Sequence, residues 1–119
     1  MKEEELIGKC PYTTAQKALS GKWSLVIMHI LSDGPVRFNE LHRRLPDMTH
    51  ATLSRQLKQL EENGLIIRRE YSQIPPKVEY ELSEIGLKFR PVLRELQNWG
   101  LDYIDYMYEN KMGSEYGQN

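Results

Sequence analysis

A chain of 119 residues is long enough for one domain with a real but modest core, and 39% hydrophobic with 28% charged residues describes a soluble globular protein. The best candidate for a membrane span, Trp23 to Leu31, is about half the required length and contains Ser24 and His29, while a single cysteine excludes an internal disulfide and any multi-cysteine metal site. The net charge of −1 hides an asymmetry: Arg37 to Lys77 holds eight basic residues against five acidic, a net of +3, which leaves −4 for the ends.

Met1 to Lys9 reads as a mobile arm. Its three successive glutamates carry the wrong sign for a signal or transit peptide, so a cytoplasmic location is expected. Cys10-Pro11 breaks any helix, and Thr13 with Gln16 fits a capping box that opens a short helix to about Leu19, with Ala15, Ala18 and Leu19 inward. Ser20-Gly21 is a turn. Trp23 to Leu31 is apolar nearly all round, the pattern of a central core helix, and Asp33-Gly34-Pro35 ends it. Val36-Arg37-Phe38 can form only a very short strand. Asn39 is a good N-cap for a helix that carries Leu41 and Leu45 and stops at Pro46.

Asp47-Met48 leads directly into the stretch Thr49 to Gly64. Thr49 can cap a helix and Gly64 can end one in the left-handed conformation. Between them Leu53, Leu57 and Leu60 form one narrow apolar stripe. The opposite side holds Ala51, Ser54, Arg55, Lys58 and Glu62, with Thr52 and Gln59 on a flank. Two short helices joined by a few residues, the second presented outward, are a helix-turn-helix signature, although the turn lacks the usual glycine. Leu65 to Tyr71 is a β-rich run, Ser72 to Lys77 a loop stiffened by two prolines, and Val78 to Leu82 a half-buried alternating strand. This hairpin is the wing of a winged helix. Ser83 caps the next helix, and Pro91 predicts a kink or two helical pieces. Beyond it Val92, Leu96, Trp99, Tyr103 and Met107 recur at helical spacing, with Leu93, Gly100 and Ile104 beside them, and Met112 to Asn119 reads as a frayed tail.

The expected fold is mainly α with a small β-hairpin (α+β). It is a single winged helix-turn-helix domain over residues 1–119: an arm (1–9), a core (12–82), C-terminal helices for dimerisation (83–111) and a tail (112–119). Hydroxyl, amide and basic side chains suit base edges and phosphates in a major groove, so the candidate DNA-reading residues are Thr49, His50, Thr52, Ser54, Arg55, Lys58 and Gln59. Arg68, Arg69 and Lys77 are the candidate wing contacts. The alternative is a winged helix used for protein contact without specific DNA binding. Leu96, Trp99, Tyr103 and Met107 exceed what one helix of a small domain would bury alone and are the candidate dimer interface. His29, expected at the core edge, His42 and His50 lack metal-pair spacing. With no nucleophile–base pair, phosphate-cradling glycine loop or carboxylate cluster, neither an enzyme nor a cofactor is expected. Cys10 lies beside Lys9 ahead of a helix N-terminus, and both favour the thiolate.

Several blocks in order carry a resemblance: Cys10-Pro11, Gly21-Lys22-Trp23, Asp33 to Leu41, Leu57 to Ile66, Pro75 to Leu82 and Trp99-Gly100. Together they resemble the HxlR-type family of bacterial winged-helix transcriptional regulators, over about residues 10 to 100. The resemblance implies a homodimeric, sequence-specific regulator of MarR-like architecture bound to double-stranded DNA at a pseudo-palindromic operator. The recognition helix would be His50 to Asn63 and the wing Leu65 to Leu82. Some members of that family sense oxidants or electrophiles with a cysteine at the position of Cys10.

Overall fold

The computed structural model describes residues 1–110. The tail expected over 112–119 therefore lies outside the described residues. The chain divides into two compact units, Met1–Lys88 and the segment from Phe89 onward.

In the first unit the order is α1 (Glu3–Leu6), α2 (Pro11–Ala18), α3 (Ser24–Ile30), a 3-10 turn (Leu31–Asp33), β1 (Val36–Arg37), α4 (Phe38–Arg44), α5 (His50–Glu62), β2 (Ile66–Tyr71), β3 (Lys77–Leu82) and α6 (Glu84–Leu87). The three strands form one antiparallel sheet in the order β1-β3-β2, with Val36 opposite Tyr80 and Ile66 opposite Leu82. This is the winged helix-turn-helix arrangement. Its core gathers Ile27, Met28 and Leu31, then Leu41, Leu45 and Met48, then Leu53, Leu57 and Leu60 from α5, and Ile66, Tyr80 and Leu82 from the hairpin. Each fully buried aliphatic side chain contributes about 1.5–3 kcal/mol, so the leucine stripe is what holds α5 on the domain.

Four local expectations are corrected. The arm is not wholly irregular: Glu3, Glu4 and Glu5 occupy the first turn of α1, where acidic groups suit the positive end of a helix. Hydrogen bonds tie it to the start of α2, with the Cys10 N–H donating to Leu6 O at 2.7 Å and the Gly8 N–H to Thr14 Oγ1 at 2.8 Å. Second, α2 starts at Pro11 with Cys10 as its N-cap, so Thr13 lies inside the first turn, and Ala15 is exposed. A proline at the first helical position needs no N–H partner and has its φ preset, which outranks the capping box. Third, α4 begins at Phe38 with Arg37 as N-cap, so Asn39 is helical. Fourth, α3 is not buried all round. Ser24, Ile27 and Met28 face inward, while Leu25, Val26 and His29 are exposed. Seven residues packed against a small core can bury only one face. The inward Ser24 is satisfied, its hydroxyl donating to Ser20 O at 2.9 Å.

The end of α5, the wing and α6 meet at the backbone of Leu65. Its N–H donates to Leu60 O at 3.0 Å and the Gly64 N–H to Glu61 O at 2.9 Å, with Gly64 at φ +79°. These are the paired bonds of a Schellman ending. The Leu65 carbonyl accepts the Ser83 N–H at 3.0 Å. Ser83 Oγ donates to Gly64 O at 2.6 Å and accepts the Gly86 N–H at 3.1 Å, which makes it the expected cap of α6. Gly86 packs so closely that a Cβ there would stand 2.2 Å from Leu65 O.

The second unit is α7 (Arg90–Glu109), with Pro91 in its first turn, so α6 and α7 are the two helical pieces expected around that proline. Along it Trp99 and Tyr103 stack with centroids 5.1 Å apart, and Tyr103 meets Tyr106 at 5.6 Å.

Gly86→Ala is expected to destabilise the protein by about 1–3 kcal/mol, because the new methyl group must displace backbone rather than a flexible side chain. Urea unfolding measures this; a loss below about 0.5 kcal/mol would show that the junction at Leu65 yields easily.

Candidate nucleic-acid interface

α5 is built to present a surface. Thr49 caps it by accepting the Thr52 N–H at 3.1 Å, and the Thr49 hydroxyl donates to Thr52 Oγ1 at 2.9 Å. The two threonines are thus partly committed to each other and to the helix end. His50 stands against the Phe38 ring at 4.5 Å, and the His42 ring lies edge-on to it at 6.1 Å. His42 Nε2 is 2.9 Å from Met48 O, which ties α4 to the turn entering α5. With Leu53, Leu57 and Leu60 fully buried, Ala51, Arg55 and Lys58 are exposed and Ser54 is half-buried. Arg55 reaches back to Thr52 Oγ1 at 3.4 Å. Among the described residues neither Arg55 nor Lys58 forms an ion pair. Gln59, the other flank residue, turns the other way: its Nε2 donates to Ser20 Oγ at 3.1 Å.

The wing divides by register. Successive side chains of a strand point to opposite faces, and β2 pairs with β3 so that Arg68 lies opposite Tyr80 and Arg69 opposite Glu79. Arg68 therefore shares a face with Val78 and Tyr80. That face and the start of α5 enclose a cleft of about 360 Å³, whose lining includes Phe38, His50, Ser54, Arg68 and Tyr80. Arg69 belongs to the other face, with Glu79, Glu81 and Lys77. Each of the three wing cations has an acidic partner: Arg68 with Glu70 at 3.3 Å, Arg69 with Glu81, and Lys77 with Glu79 at 3.2 Å. Lys77 Nζ also rests over the Tyr71 ring at 4.8 Å, although the residue still rims the cleft. Burial pushes Glu79 up, but the Lys77 ammonium and the Tyr71 hydroxyl outweigh it and hold the carboxylate below its ordinary range. Alternation along Val78 to Leu82 places Glu79 and Glu81 on one face. It does not reveal which cations they neutralise.

Cys10, at the cap of α2, is partly exposed. The Thr13 backbone N–H beside it, and after that the Thr13 hydroxyl, hold the thiol below its ordinary range. On α7, Leu96, Trp99 and Tyr103 are exposed and Met107 is half-buried, and none of the helix's residues is buried. Among the described residues no helix is long and apolar enough to cross a membrane.

Comparison with known proteins agrees with this geometry. The family model for HxlR-like helix-turn-helix proteins matches residues 18–108. An uncharacterized HTH-type transcriptional regulator of Halalkalibacterium halodurans is 46% identical over 92 residues, 76% of this chain and 81% of the relative. Among solved structures, the redox regulator HypR in its reduced form superposes with a TM-score of 0.78 at 35% identity, covering 84% of this chain and 99% of HypR. The reduced form of the transcriptional regulator YodB from Bacillus subtilis gives 0.67 at 36% identity, covering 76% of this chain and 89% of YodB. A winged helix with an outward-facing α5, matched over most of its length, belongs to the HxlR-like helix-turn-helix family, and the chain is a transcriptional regulator and not an enzyme.

Proposed function

We propose that the protein is a cytoplasmic, homodimeric regulator that binds double-stranded DNA in a sequence-specific manner, with α5 in the major groove. The observation that carries this reading is the outward stripe of α5. Ser54, Arg55 and Lys58 stand opposite three buried leucines, and the two cations have no acidic partner among the described residues. Arg55 suits a bidentate base contact and Lys58 a phosphate. His50 and Thr49 at the first turn, and Thr52 beside them, serve the adjoining phosphates. On the wing Arg68 and Lys77 border the same cleft, and Arg68, Arg69 and Lys77 must exchange Glu70, Glu81 and Glu79 for phosphate. Exposed ion pairs are worth about 0–1 kcal/mol, so the exchange is cheap for Arg68 and Glu70, while Lys77 and Glu79 are largely covered and part at greater cost. Arg55→Ala should cost roughly 1–3 kcal/mol on the preferred duplex and relax specificity at one position. Binding titrations against preferred and random duplexes test it. Equal losses on both would make Arg55 a phosphate contact, and no preferred duplex for the wild type would favour the reading as a protein-interaction module.

Dimerisation is supported by the row Leu96, Trp99, Tyr103 and Met107, which leaves large aromatic surfaces uncovered in the single chain. A twofold dimer would set two copies of α5 about 34–36 Å apart, one turn of DNA, matching a pseudo-palindromic operator. Trp99→Glu should place a charge in that seam and give monomers by sedimentation. A wild type that is itself monomeric at micromolar concentration would refute the dimer.

A second component, response to oxidants or electrophiles through Cys10, is supported by the thiol's partial exposure and lowered pKa. The similar proteins HypR and, by its diamide-treated form, YodB point the same way. The thiolate then predominates above a pH lower than usual, so alkylation of Cys10 should titrate with a midpoint below about 8.5. Diamide or a quinone should weaken operator binding by the wild type and not by Cys10→Ser. Unchanged affinity after complete, verified modification would remove Cys10 from signalling.

A further inference from the structure

Besides its leucine stripe and its outward stripe, α5 with its C-cap carries a third, made of Gln56, Gln59 and the capping Asn63 at spacings of three and four. Two of these side chains reach a segment that lies far earlier in the chain. Gln59 Nε2 donates to Ser20 Oγ at 3.1 Å, across 39 residues, and Asn63 Nδ2 donates to Ala18 O at 3.2 Å, across 45. Gln56 Nε2 donates to Gln59 Oε1 at 3.4 Å, which links the amides in a row. The Gln56 amide also lies against Gly21. A Cβ there would stand 2.7 Å from Gln56 Oε1, and Gly21 has φ +118°, where side chains are rarely tolerated. Gln56 Oε1 is buried without a hydrogen-bond partner among the described residues.

We propose that Ser20 and Asn63, together with Gln56 and Gln59, are positioning residues that set the roll and tilt of α5 and so govern the sequence specificity of DNA binding. The inference rests on the DNA-binding role proposed for α5. Burial of Leu53, Leu57 and Leu60 is non-directional, so that stripe fixes the angle of the helix less sharply than hydrogen bonds do. Hydrogen bonds weaken steeply outside a narrow range of distance and angle, so bonds at two points along the third stripe define one orientation. Arg55 and Lys58 are long and flexible and reach phosphates from a rolled helix. A bidentate base contact does not survive the same displacement. Specific and non-specific affinity therefore separate. Ser20 and Ala18 meet α5 on a stripe other than the one that carries Ser54, Arg55 and Lys58, so substitution at Ser20 leaves the DNA-facing stripe intact.

The test uses the full chain and a duplex chosen by in vitro selection, with a random duplex beside it at the same salt concentration. Ser20→Ala and Asn63→Ala should each lower the ratio of specific to random affinity about fivefold, the effect of one net hydrogen bond. The double variant should lower it further. For Ser20→Ala random-duplex affinity should stay unchanged while the thermal midpoint falls by no more than the few degrees that one hydrogen bond is worth, and Ser20→Thr, which keeps the hydroxyl, should restore the wild-type ratio. An unchanged ratio in both single variants overturns the proposal while leaving DNA binding intact. So does a parallel fall of specific affinity, random affinity and thermal midpoint, which would make the stripe merely structural. A wild type that binds no duplex would overturn the DNA-binding role, and this inference with it.

Discussion

The backbone of Leu65 is where three parts of the first unit are joined. Its N–H closes α5, its carbonyl receives Ser83 at the start of α6, and its neighbour Gly64 holds the left-handed turn that sends the chain into β2. Gly86 lies against that carbonyl with no room for a side chain. Because the N–H and the carbonyl of this one residue bond to α5 and to the start of α6, a change in the angle between the wing and α5 acts on the ending of the helix and on the entry to α6. The same junction sets the cleft between α5 and the wing, with Arg68 and Tyr80 on one wall and His50 and Ser54 on the other.

Charge is distributed unequally over this rigid frame. The wing brings its own counterions: Glu70, Glu79 and Glu81 each hold one of its cations. α4 does likewise, with Glu40 taking both Arg43 and Arg44 and held below its usual range by them. Arg55 and Lys58 on α5 are left without such partners among the described residues. The basic middle of the sequence therefore reduces, in the folded state, to a much smaller area of unneutralised positive charge. That area includes Arg55 and Lys58 on the outward side of α5, together with Arg37 on β1.

Where several independent signals coincide, the sequence is enough to read the structure. α5 is legible because a capping threonine, a leucine stripe and a terminating glycine bracket the same residues. The hairpin is legible from the alternation in Val78 to Leu82 and the prolines before it, and α6 from Ser83. The misreadings occur where two local rules compete. Pro11 and Thr13 each offer a helix start, and the proline prevails because it needs no partner. Asn39 offers a cap two residues after the one used. α1 escapes a reading by pattern because four residues carry no periodicity. In the candidate site, the identity of the outward residues of α5 follows from helical geometry. The commitment of Gln59 to Ser20 and of Lys77 to Glu79 does not, because the first depends on a contact 39 residues away and the second on a side-chain choice among several nearby partners.

The long helix α7 contains twenty residues and buries none of them in the single chain. Most of the stability of a helix in a protein comes from packing its apolar face rather than from its own hydrogen bonds. Its aromatic row gains most of its stabilisation when another surface covers it. If that surface is a second copy, folding of this segment and association are one equilibrium, and the stability of the chain becomes a function of how much of it is present. In that case the regulator would carry a measure of its own abundance, with α7 looser on dilution and firmer on accumulation.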